Sequence, residues 1–352
     1  LVTTKIDEEI FKPLFPEGKK SGRPNASIRI LVAMSVLKEG FGCSDEDLFE
    51  KCEFDLLTRK ALGMELLTDV TPSIDTYYLF RRRICEYQER TGIDLMQLCF
   101  EQLAGKHVHL LKISGKCVRM DSKLIGSNIA RQSRYELIHT TLVKFLKTCT
   151  LTHLSPEQEE RAKEYLKEDS SKTVYRSDSD TLQSNLARIG NFIMEMLAVF
   201  PATSPAHDLL LRLFEEQYVV MDGKAVLRDK KEVKADSLQN PNDPDATYRA
   251  KNDQKVQGYV TNITETVEEG KPNIITSVQV ETAVFADCHF LQEAVENSER
   301  VTDSTIEDLY ADGAYQSPDN REFAKNHNAM QLKTGKMQGG CRWELIPHDE
   351  DG

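Results

Sequence analysis

The sequence contains no run approaching the roughly 20 apolar residues that a membrane-spanning helix needs. Its first residues, LVTTKIDEEIF, have neither a basic stretch nor an apolar core of the kind that marks a secretory signal. The eight cysteines (43, 52, 85, 99, 117, 149, 288 and 341) are scattered, with no CxxC pair, which removes zinc ribbons and thioredoxin-like redox motifs. Several lie inside apolar periodic segments, where a reduced, buried thiol is the plain reading, so a reducing, cytoplasmic compartment is expected. Cys288-His289 has no CxxC or HxxxH partner and suits packing at a helix start better than zinc. There is no Gly-rich phosphate loop and no GxSxG nucleophile elbow. An excess of positive charge is also missing: 45 Lys and Arg face 57 Asp and Glu, for a net charge of −12. That balance argues against a protein coated in phosphate-binding lysines, while leaving room for local basic patches and for acids that hold metal.

What is present is enough for two or three packed domains: 352 residues, 39% of them hydrophobic. The most informative stretch is IEDLYADGAYQSPDNREFAKN, residues 306–326. Ile306, Leu309, Tyr310 and Ala311 form a short apolar run that reads as a buried strand, Asp312 ends it, and Gly313 permits a tight turn. Ser317-Pro318 reads as the N-cap and first residue of the next helix. An acid at the carboxyl end of a strand, before a turn and a helix, stands where open α/β sheets place their ligands, and a carboxylate there suits a divalent metal. One carboxylate does not hold such an ion, and the best partner is Asp121, preceded by Cys117, Val118 and Met120 and followed by Leu124 and Ile125.

The ordered set MDSKLIGSNIA, GYVTNITET and ADGAYQSPDN resembles the insertion-sequence transposases of the DDE class, over most of the chain. The resemblance implies an RNase H-like fold whose site holds two Asp and one Glu, with Asp121 and Asp312 as catalytic and metal-binding residues. The fold class expected is therefore mixed α/β (α+β): an RNase H-like mixed sheet interrupted by a helical insert and preceded by an all-helical N-terminal domain. Two Mg²⁺ or Mn²⁺ ions about 4 Å apart would activate water or a DNA 3′-hydroxyl and stabilise the leaving 3′-oxygen. The expected partner is double-stranded DNA, transposon ends and target, bound by a homodimer; no membrane is involved. The third acid has no match: Glu322 comes too early and Glu344 lacks a helical setting, so the Glu is expected beyond residue 352, in a chain that starts without Met, ends in HDEDG and reads as a fragment. The pattern Asp243-Pro244-Asp245-Ala246 followed by Lys251 also matches the family; taken alone it reads equally as a solvated turn.

Residues 1–106 read as the helical, DNA-binding domain. A Pro/Gly/Lys-rich lead-in (12–22) precedes a helix ended by Gly40, with Ile28, Leu31, Val32, Ser35 and Val36 on one face. Ser44, with Asp45, Glu46 and Asp47 after it, opens a second helix, and 54–62 gives a short third. Thr71-Pro72-Ser73 caps a longer one carrying Arg81, Arg82 and Arg83, and a last helix spans 93–104. Short helices with a basic cluster fit a helix-turn-helix-like reader, with Lys19, Lys20, Arg23, Arg81, Arg82, Arg83 and Lys251 as candidate DNA contacts. The three arginines equally fit a solvated helix face.

Residues 107–334 read as the catalytic domain. Four helices (135–149, from 155, from 179 or 180 through 200, and 206–218) form an insert at about 127–220, with 203–207 and the polar tract 229–245 as linkers. A hairpin (255–267 and 274–285), a helix capped by Asp287, the strand ending at Asp312, a helix from Pro318 and a strand 329–333 complete the order expected of an RNase H fold. Residues 335–352 read as the start of a further insertion.

Overall fold

The computed structural model describes residues 3–15, 26–201, 204–251 and 254–335. Among them no helix is long and apolar enough to cross a membrane, and all seven cysteines are free.

The amino-terminal region is helical. After a 3-10 turn over Glu8–Leu14 come α1 (Ile28–Phe41), α2 (Asp45–Phe54), α3 (Leu56–Ala61), α4 (Ile74–Thr91) and α5 (Leu95–Leu111). Short polar side chains accept from the first unsatisfied N–H groups of these helices: Ser44 forms a reciprocal capping box with Asp47 on α2, Ser73 caps α4 and Asp94 caps α5. Phe11, Leu31, Met34, Leu48, Tyr77 and Phe80 meet in one core.

Two boundaries and one helix face differ from the sequence expectation. The first helix passes through Gly40 and stops at Gly42, whose φ of 61° turns its N–H back to the carbonyls of Lys38 and Glu39. Its inner face is Leu31, Val32, Ala33 and Met34, and Val36 lies outside at 47% exposure; the Glu8–Leu14 turn, which overlaps the start of the expected lead-in, packs on this helix. Finally, α5 continues through residue 106 to Leu111. Gly105 permits this by letting the helix lie against the Val301 carbonyl, 3.0 Å from where a Cβ would stand.

Strand β1 (Cys117–Gly126) leads into the insert: α6 (Arg134–Leu146), α7 (Pro156–Lys167), α8 (Ser170–Arg176), α9 (Ser179–Val199) and α10 (Pro205–Gln217). A hairpin of β2 (Tyr218–Met221) and β3 (Lys224–Leu227) closes it. The sequence reading omitted α8, which has no buried residue to give it a period, and the hairpin, although its Asp222-Gly223 turn, with φ of 49° and 72°, carries the usual signal. The tract 229–245 is no loose linker. Leu238 and Asn240 are buried, Arg212 donates to the carbonyls of Asp236 and Pro244, and the Leu238 N–H donates to Glu216.

The sheet follows: β4 (Thr247–Lys251), β5 (Gln254–Thr266), β6 (Ile275–Thr282), α11 (Leu291–Thr302), β7 (Asp308–Asp312), α12 (Pro318–Asn326) and β8 (Gln331–Gly335). Its order is β4-β5-β1-β7-β8, with β6 also on β5. Pairing is antiparallel among β4, β5, β6 and β1, and parallel from β1 to β7 to β8. The result is a mixed α/β protein. Val118, Met120, Leu309 and Ala311 point to one face of the sheet and pack with Leu291, Ala294, Val295 and Ala324 of the covering helices. Asp287 does not cap a helix: it lies inside a 3-10 turn, Asp287–Phe290, that precedes α11.

Candidate acidic site and nucleic-acid surface

Asp121 and Asp312 come from strands that lie side by side. In the β1–β7 ladder Val118 pairs with Leu309 and Arg119 with Tyr310. The offset, 309 − 118, is 191, and 312 − 121 is also 191, so the two acids are separated in sequence by the same number as the paired positions two residues before them. Side chains alternate along a strand. With Val118, Met120, Leu309 and Ala311 buried on the helix side, the alternation puts Asp121, midway along β1, and Asp312, the last residue of β7, on the opposite face.

Asp121 is exposed, and the Ser122 N–H donates to its Oδ1 at 2.8 Å. Asp312 is half-buried and caps the one-turn 3-10 helix Gly313–Tyr315, its Oδ1 accepting from the Ala314 N–H at 2.7 Å. Tyr315, which ends that turn, is wholly buried. Burial pushes the Tyr315 hydroxyl above the ordinary phenol range, and the charges of Asp287, Asp121 and Asp312 add to that.

Oxygen donors of this kind suit Mg²⁺, which is commonly held by one or two carboxylates and keeps several waters. Among the described residues no group of three or more His, Cys, Asp or Glu is gathered to hold a metal. Glu322 is exposed on α12, and Glu344 lies outside the described residues.

Asp243 is anchored. The Ser127 and Tyr259 hydroxyls donate to its two carboxylate oxygens, which ties the turn after β1 to β5 and to the polar tract. A solvated turn acid, as the sequence alone suggested, is therefore replaced by a structural clamp. Lys251 ends β4, paired with Gln254.

The basic candidates divide. Lys19, Lys20 and Arg23 lie outside the described residues. On α4, Arg81 stands 3.8 Å from Asp45 and over the Tyr77 ring, Arg82 is 3.5 Å from Glu86, and Arg83 lies 5.4 Å over Phe15. Arg81 and Arg82 are largely exposed, so their guanidinium groups can exchange these weak surface partners for phosphate.

Sequence reading missed two groups around the acids. Arg249 on β4 donates to the Ala283 and Phe285 carbonyls and to Asp287, a buried carboxylate, at 3.3 Å. Asn262 on β5 accepts from the Tyr315 hydroxyl at 2.7 Å. Asn262 carried a faint signal, an amide amid the alternation of the VTNITET strand; Arg249 carried none.

Residues 1–83 match a family model described as a transposase domain (DUF772). No curated protein and no solved structure matches the chain. The match falls within the helical amino-terminal region and supports a transposase family for this protein.

Proposed function

We propose that the protein is a DDE-class DNA transposase that cuts and joins strands at insertion-sequence ends, with Asp121 and Asp312 as its first two metal-binding acids. The observation that carries this reading is the parallel pairing of β1 with β7 at an offset of 191, the same number that separates Asp121 from Asp312 in sequence. The strand order and directions support an RNase H-like sheet, and the match over 1–83 supports the transposase role. Two Mg²⁺ or Mn²⁺ ions, when bound there, supply activation of the attacking oxygen and stabilisation of the leaving 3′-oxygen.

The chain's own part is to present oxygens. Asp312 uses one lone pair of Oδ1 to fix its turn, and a carboxylate has further lone pairs to give an ion. The exposed position of Asp121 leaves a phosphodiester room to approach. The amino-terminal helices, with Arg81, Arg82 and Arg83, would hold DNA backbone alongside, as would Lys19, Lys20, Arg23 and Lys251.

A second reading, a DNA-binding relative without chemistry, is favoured by one observation: the described residues hold a pair of acids and no third ligand. Supercoiled plasmid nicking in Mn²⁺ separates the two. The first reading expects nicking by the natural protein that falls by roughly three orders of magnitude or more in Asp121→Asn or Asp312→Asn, because ligands of one site act as a unit. An Asp312→Asn protein as active as its parent removes Asp312 from the site; a parent that binds DNA and never nicks it establishes the second reading.

A further inference from the structure

Backbone pairing between β1 and β7 ends at Arg119 and Tyr310, two residues short of the acids. At the acids each strand is held by its other neighbour, Asp121 opposite Ile263 of β5 and Asp312 opposite Gly335 of β8. A further connection between the two acids runs through buried polar side chains. Tyr315, 0% exposed, closes the turn that Asp312 opens. Its hydroxyl donates to Asn262 Oδ1 at 2.7 Å, with the Ser122 hydroxyl as a further partner. Asn262, also 0% exposed, lies opposite Ser122 in the β1–β5 ladder, and Ser122 follows Asp121 directly.

Both ends of this bridge are held. The Asn262 Nδ2 donates to Gln279 Oε1 at 2.8 Å, and the Gln279 amide donates in turn to Glu293 and to the Phe290 carbonyl. On the other side, the buried Asn320 of α12 donates to the Tyr315 carbonyl at 2.8 Å and to the Cys288 carbonyl at 2.7 Å. Apolar side chains of similar size would fill this space with comparable stability, since buried polar groups gain little over well-packed apolar ones. What a satisfied network adds is a single geometry.

We propose that Tyr315 is a positioning residue that acts through Asn262 to hold Asp312 at its working separation from Asp121. The inference rests on the reading of Asp121 and Asp312 as a metal-binding pair. Residues that orient metal ligands without touching the metal commonly change metal affinity by about 10- to 100-fold when altered.

The test is Mn²⁺ binding by electron paramagnetic resonance, with circular dichroism melts, on the natural protein and on Asp312→Asn, Tyr315→Phe and Ser122→Ala. Tyr315→Phe keeps the ring and removes only the hydroxyl. The expected result is Mn²⁺ binding that Asp312→Asn abolishes and Tyr315→Phe weakens about 10-fold or more while the native spectrum is retained. Ser122→Ala, which leaves the phenol in place, should weaken binding severalfold, and it decides the matter if Tyr315→Phe does not fold. Parental Mn²⁺ affinity in Tyr315→Phe, or in Ser122→Ala if it alone folds, overturns the positioning role and leaves the acidic pair standing. Absence of any Asp312-dependent Mn²⁺ binding in the parent overturns both, since there is then no site to position.

Discussion

Gly258 offers a sharp test of how β1 is seated. In the β1–β5 ladder it pairs with Gly126. A Cβ built on Gly258 would stand 2.2 Å from the Ile125 carbonyl oxygen and 2.5 Å from the Ser127 nitrogen, both backbone atoms that cannot swing aside, whereas one on Gly126 meets nothing within 4 Å. Ordinary carbon contacts begin near 3.5 Å, so Gly258→Ala must push the end of β1 off β5 by about 1 Å. That shift breaks the 2.9 Å bond from the Ser127 N–H to the Gln257 carbonyl and loosens the Ser127–Asp243–Tyr259 clamp. Overpacking costs about 1–3 kcal/mol, and each lost hydrogen bond about 0.5–1.5 kcal/mol, so a total near 3–5 kcal/mol is expected. In a thermal melt this is a fall in Tm of roughly 5–10 °C or more, against less than about 2 °C for Gly126→Ala. Equal shifts in the two variants would show that β1 and β5 are not in this register.

Further outcomes follow from other sites. His207 is buried at 4% exposure and among the described residues neither ring nitrogen has a hydrogen-bond partner, so His207→Leu should stabilise the insert by about 1 kcal/mol or more, read as a rise in Tm; a clear fall would mean the imidazole is satisfied. Burial holds His139 below the ordinary imidazole range, against the opposing pull of Glu168 and the Tyr165 carbonyl. A depressed folded-state pKa means that its contribution is complete above about pH 6.5 and declines as pH falls below that value; Tm measured from pH 8 to 5 should drop more steeply in the parent than in His139→Gln, and parallel curves would refute the assignment. Replacing Arg81, Arg82 and Arg83 together with Ala should weaken DNA binding and lower its log–log salt slope by about 1 to 3; an unchanged slope makes the cluster a solvated face.

Much of the fold was legible because its signals are local. Ser44, Ser73, Ser155 and Ser317 all sit at helix starts, where a hydroxyl satisfies an end N–H whatever packs around it. The strands of Asp121 and Asp312 were readable from short apolar runs ending in an acid. Less legible were features decided at a distance. Gly40 looked like a helix stop, but any helix tolerates one glycine at modest cost and Gly42 has the left-handed geometry. The polar tract 229–245 read as linker because its composition is polar; only Arg212, Lys144 and Glu216, far away in sequence, reveal that its carbonyls and N–H groups are taken. Tyr315 looked like part of a turn, since its partner Asn262 lies 53 positions away.

The seating of the insert on the sheet has a consequence for how the chain tolerates change in length. Gly126 and Thr247 pair with the same residue, Gly258, from opposite sides of β5. The excursion between them, 246 − 126 = 120 residues, therefore leaves and re-enters the sheet only two strand spacings apart, about 10 Å. Three or four extended residues would span that gap. Closing a loop of 120 residues rather than 4 costs only about 3 kcal/mol more chain entropy, because the dependence is logarithmic. An excursion with its own packed core offsets that cost internally, so the 191 positions between the two acids in sequence do not measure their separation in space.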